Sequence, residues 1–205
     1  MKIKSVFFEY IKANKKTFVS LLIFFFIGMG LGIAFINNAN ENQIQEITLY
    51  VNSLKDNIKS AKDVNKSILF MQSIKQNIIF MLVIWFFGCT ILGSFFIYIA
   101  IIYKGFSIGY TIAAIIATLG VKNGVIFSFC SLFLQNLIFL PILFLLSESG
   151  IKLYANLKKN RFLNVKIEFL RHTAIMLISL AFSIVTSFIE VYVSTNFLIF
   201  FKEIF

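Results

Sequence analysis

From position 78 to position 147 the chain runs for seventy residues with only two charged side chains, Lys104 and Lys122. Charged residues make up about a quarter of an ordinary globular chain, so a water-facing surface cannot be assembled from this stretch. Lipid must be its solvent. The rest of the chain agrees: 59% of its 205 residues are hydrophobic, 14% are charged, and 27 are Phe. That composition predicts an all-α, polytopic membrane protein.

A helix needs about 20 apolar residues to cross the hydrocarbon core. Segments 17–36, 78–102, 125–147 and 172–201 meet that length, the last despite Glu190. A fifth, 106–121, rises only about 24 Å and reads as a short span or a re-entrant segment. Segments 1–16 and 148–171 are rich in Lys and Arg, which places both in the cytoplasm. With Lys104 in an inner loop, twelve of the nineteen basic residues fall inside. The expected topology is about five transmembrane helices with the N-terminus cytoplasmic, Lys122 outside and the C-terminus outside. Residues 1–16 carry Val6, Phe7, Tyr10 and Ile11 on one helical face, as an interfacial helix would. The apolar run of 17–36 is longer than that of a cleaved signal, so a retained anchor is expected.

Segment 37–77 is the one sizeable extracytoplasmic piece. Ile44, Ile47, Val51, Leu54 and Ile58 recur at spacings of three and four, giving one helix an apolar seam. A seam needs a cover. Two covers fit the pattern, a partner protein docking from outside or the protein's own bundle and the outer leaflet.

Few polar residues enter the apolar segments. Gln135 and Asn136 lie midway along 125–147, with Pro141 further on, and buried amides must face other helices rather than lipid. They read as interhelical packing at a kink or as the lining of a substrate path. Glu190, far along the last span, is expected at the outer interface facing water. His172, beside Arg171, is expected to snorkel at the inner one. Gly28 with Gly32, and Gly105 with Gly109, form GxxxG pairs that mark close helix contact, within the chain or in a homodimer.

Several functions lack residues to carry them. The single His, the missing HExxH and P-loop, and the lack of paired intramembrane carboxylates argue against an enzyme, a metal site or a cofactor. Cys89 and Cys130 both lie in apolar runs, which disfavours a disulfide framework. The net charge of +10 gathers at span ends. It forms no face for nucleic acid, and membrane lipid is the expected partner.

Three stretches in order carry a resemblance. Residues 14–18 (Asn-Lys-Lys-Thr-Phe) precede an apolar span with Gly28 and Gly32 that closes on Asn37. Residues 103–111 (Tyr-Lys-Gly-Phe-Ser-Ile-Gly-Tyr-Thr) and 135–141 (Gln-Asn-Leu-Ile-Phe-Leu-Pro) follow. Together they resemble the stage II sporulation protein M family across nearly the whole chain. The resemblance implies a non-enzymatic scaffold of endospore formation in the mother-cell septal membrane. Such a scaffold localises two peptidoglycan-remodelling enzymes, the stage II sporulation proteins P and D, during forespore engulfment. The competing reading is a small-solute transporter or channel component with its site around Gln135, Asn136 and Pro141.

Overall fold

The computed structural model describes residues 14–59, 66–90, 92–158, 162–194 and 196. These residues form helices α1 (Lys15–Asn37), α2 (Glu41–Lys59), α3 (Lys66–Gly88), α4 (Gly93–Leu119), α5 (Val121–Ser128), α6 (Leu134–Lys158) and α7 (Phe162–Phe188). Wider π-helical segments, Phe129–Phe133 and Ile189–Ser194, lead into α6 and out of α7. No strand occurs among the described residues. Lys15–Asn37, Lys66–Gly88, Gly93–Leu119, Gln135–Lys158 and Val165–Ser194 are five helices long and apolar enough to cross a membrane. The interfacial helix expected over 1–16, with Val6, Phe7, Tyr10 and Ile11, lies outside the described residues up to position 13.

The helix boundaries differ from expectation in one decisive place. Segment 78–102 is not one helix, because α3 stops at Gly88 and α4 starts at Gly93. At the break the backbone tightens. The Cys89 amide bonds the carbonyls of Trp85 and Phe86, while the Thr90 amide (3.0 Å) and hydroxyl (2.8 Å) both donate to the Phe87 carbonyl. These bonds satisfy carbonyls that a helix end leaves open. Gly93 then starts the next helix so close to the Phe87 carbonyl that a Cβ would collide with it. Apolar residues flank the turn on both sides, so hydropathy carries no mark of it. The shift has a large consequence: Lys104, expected in an inner loop, sits within α4.

α1 and α4 form the most extensive helix pair. A Cβ added at Gly28 would overlap the Ile102 carbonyl, and one at Gly32 would overlap that of Phe106. Reciprocally, Gly105 abuts the Phe25 carbonyl and Gly109 that of Met29. Both GxxxG pairs therefore meet each other inside one chain, where bare backbones approach closely. The pairing 25 with 105 and 29 with 109 makes the two helices parallel. Ser20 donates to the Tyr98 hydroxyl at 3.1 Å along the same contact.

The bundle is apolar outside and partly polar inside, the arrangement lipid demands. Phe26, Phe86, Phe95 and Tyr103 are each at least 60% exposed, whereas Glu148, Ser149, His172 and Thr186 are fully buried. Between these layers Leu21, Phe25, Ile84, Ile97, Phe139 and Leu143 form the apolar core. Along α7, Ser179, Ser183 and Thr186 return their hydroxyls to carbonyls of their own helix, so a polar face can be buried without another partner.

His172 departs from its expected place at the membrane edge. Its Nδ1 lies 2.6 Å from the Ser149 hydroxyl and its Nε2 3.2 Å from the Trp85 carbonyl. Since a carbonyl only accepts, Nε2 carries the proton. Gly88 and Gly150 make room for the ring, for a Cβ on Gly88 would strike it and one on Gly150 would crowd it. The imidazole thus clasps α3, α6 and α7 together.

Candidate functional site

One lysine, one carboxylate and several amides converge inside the bundle. They line a cavity of about 790 Å³ between α3, α4, α6 and the end of α7, with Tyr50 of α2 at its margin. Each wall has a local origin. α3 begins with a polar turn and brings Asn77 to the interior and the exposed Gln76 to the cavity wall before it becomes wholly apolar. α4 contributes Lys104, Ser107 and Thr111 on successive turns of one face. The two π segments supply Leu132 and Glu190. A π segment widens the helix and re-aims its side chains, and such segments concentrate at functional sites.

Glu190 is half-buried. Sequence places it at the outer interface facing water, but the structure turns it into the bundle. Its Oε2 accepts from the Ser73 hydroxyl and from Gln135 Nε2 at 2.6 Å. The physical reason is compensation: two donors from facing helices offset the cost of withdrawing a carboxylate from water. Lys104 faces the same cavity and interacts electrostatically with Glu190. Its Nζ stands 4.6 Å from the centroid of Phe139 and 5.9 Å from that of Phe80. Ring faces are the apolar surfaces best suited to receive an ammonium.

Gln135 and Asn136 come together in this cavity at 8% and 9% exposure. Gln135 ties α6 to Glu190, while Asn136 Nδ2 bonds the Leu132 carbonyl at 2.8 Å. Asn136 Oδ1 is buried and accepts no hydrogen bond among the described residues. Pro141 stays apart. It is exposed, outside the cavity wall, and α6 continues through it. The departure from α geometry lies upstream, at Phe129–Phe133.

Part of the seam on α2 finds its cover within the chain. At the start of α2 the Asn40 backbone amide donates to Gln43 Oε1 at 3.2 Å, one half of a capping box. α2 then packs along α4. Val51 is buried at 5% exposure and Ile47 half-buried, beside Tyr110, Ala114 and Ile115. Ile44 remains 39% exposed. The side chains of Leu54 and Ile58 lie outside the described residues. The opposite face of α2 presents Leu49, 71% exposed.

Sequence reading missed the meeting of Lys104 with Glu190. The available signal was Lys104 itself, a charge within an apolar run; the unseen break between Gly88 and Gly93 disguised it as a loop residue. The Ser149–His172 contact was also missed. Both of those residues are fully buried, which leaves the pair no access to a substrate. Among the described residues, no three His, Cys, Asp or Glu side chains converge as a metal site would require.

No curated protein and no solved structure matches the chain. A family model does, that of stage II sporulation protein M, over residues 21–195. That match takes in the paired glycines of α1 and α4, the Gln135–Asn136 amides and Glu190, and on this basis the chain belongs to the stage II sporulation protein M family, a sporulation-related membrane protein.

Proposed function

We propose that this protein is a non-enzymatic scaffold of the engulfing mother-cell membrane. It positions the peptidoglycan-remodelling stage II sporulation proteins P and D at the septum. The observation that carries this reading is the family match across 21–195, which spans all five long apolar helices in whole or in large part. The placement of α2 supports it physically. One face of α2 is occupied by α4, while Leu49 projects from the other. A single-pass partner can meet this face without disturbing the bundle. Exposed apolar side chains flanked by polar ones, here Thr48, Asn52 and Ser53, suit such contacts.

Capture of the named partners tests the reading. Affinity-tagged protein drawn in detergent from sporulating cells should bring down proteins P and D, detected by their own antibodies. Leu49→Glu should lower that recovery without changing the thermal midpoint. Full recovery of tagged protein from membranes with neither partner would overturn the proposal. The second reading, a small-solute transporter or channel component, draws its support from the cavity beside Gln135 and Asn136. It requires a soluble ligand that stabilises the protein.

A further inference from the structure

The cavity holds one ammonium and one carboxylate, and both have unspent capacity. Lys104 makes no hydrogen bond to protein among the described residues; its Nζ faces the Phe139 and Phe80 rings, and Glu190 acts on it through charge. Both bonds to Glu190 fall on Oε2, which leaves Oε1 to the cavity. Asn136, nine-tenths buried, offers a second acceptor in Oδ1. A matching ligand therefore carries an anion for Lys104 and N–H donors for Glu190 and Asn136. A bare anion would meet the carboxylate's repulsion, and a bare cation that of the ammonium.

Two features say which kind of zwitterion fits. The rim residues Ile79, Val83 and Tyr103 are 50%, 37% and 63% exposed, on helices whose outer faces lipid covers, so access runs from the membrane plane. An apolar slot of about 410 Å³ adjoins the cavity across Ile108, Leu132 and Asn136, and is walled by Phe25, Ile112 and Phe133 among others. A polar head site that shares a wall with an apolar slot is the shape of an amphiphile site.

We infer that the cavity binds a zwitterionic phospholipid with a primary-ammonium headgroup. Its phosphate lies against Lys104, its ammonium against Glu190 and Asn136, and one acyl chain occupies the adjoining slot. This goes beyond the scaffold reading and does not depend on it. It competes with the small-solute reading for the same cavity.

The test uses the full chain, purified and delipidated in detergent, then titrated with mixed micelles of phosphatidylethanolamine, phosphatidylcholine or phosphatidylglycerol of identical chains. The thermal midpoint is the readout. Phosphatidylethanolamine should raise it saturably and more than the other two, because the choline head has no N–H and the glycerol head no ammonium. Lys104→Met or Glu190→Gln should weaken that apparent affinity by about tenfold, the worth of one charge-assisted hydrogen bond. Should a lone remaining charge prevent folding, the double variant Lys104→Met/Glu190→Gln carries neither charge and should lose the headgroup preference. Equal response to the three lipids, or a double variant that keeps the preference, overturns the inference. So does glycerophosphoethanolamine alone matching the lipid, which would make the site one for a soluble solute.

Discussion

The parallel contact of α1 with α4 can be tested by one methyl group. Gly105→Ala puts a Cβ onto the Phe25 carbonyl, with Phe25 C at 3.0 Å and Met29 N at 3.1 Å close behind. These atoms are backbone, so no side chain can swing aside. The helices must separate by about 1 Å, and such a gap forfeits a quarter to a half of each van der Waals well along the contact. Overpacking of this kind costs about 1–3 kcal/mol, against which alanine returns up to about 1 kcal/mol of helix propensity. The expected net loss is about 1–2 kcal/mol. Gly30→Ala is the control on α1 away from the contact, since Gly30 is exposed and a Cβ there meets nothing within 4 Å. It should be neutral or stabilising by up to about 1 kcal/mol. A gap of about 2 kcal/mol between the variants corresponds to about 4–8 °C for a chain of this size. The fluorescence of Trp85, the single Trp, reports melting in detergent. Variants that melt within about a degree of each other, or a Gly30 variant that is the weaker, would refute the interlocked backbone contact.

Other perturbations have equally definite outcomes. Ser149→Ala and His172→Phe should each lower stability by about 1–3 kcal/mol, because each strands a buried polar partner. Their double variant should cost less than the two separately, and strict additivity would show that the pair does not interact. Gln135→Leu with Asn136→Leu removes one donor from Glu190 and should lower the thermal midpoint while leaving capture of proteins P and D intact. Lost capture at an unchanged midpoint would contradict a packing role for the amides. Lys122→Cys, with Cys89 and Cys130 replaced by Ala, should react with an impermeant maleimide from the outer side of intact cells. The position is exposed at the start of α5, and labelling only after the inner side is opened would reverse the expected topology.

Much of the architecture is legible in one dimension because the solvent is lipid. Transfer of each side chain into hydrocarbon is nearly an additive property of that residue, so apolar runs announce helices whatever they pack against. The GxxxG spacings likewise mark close contact, because a missing Cβ is a local fact. Where the contact goes is not. Gly28 and Gly105 meet only because the helix breaks between Gly88 and Gly93 and α4 runs parallel to α1, and that break lies among residues as apolar as the helices around it.

The candidate site was legible by its parts and not as a whole. Gln135 and Asn136 stand out as amides within an apolar run, and Glu190 as a carboxylate, but counting residues along α7 measures only its height and not its rotation. Sequence alone determined the solvent, an all-α chain of about five spans, and the family. Tertiary structure alone decided that Lys104 belongs within a helix, that Glu190 turns inward to Ser73 and Gln135, that His172 clasps three helices, and that α4 covers part of the α2 seam. The reason is that a buried charge or amide is tolerated only where a partner is already held in place, and those partners come from helices distant in sequence.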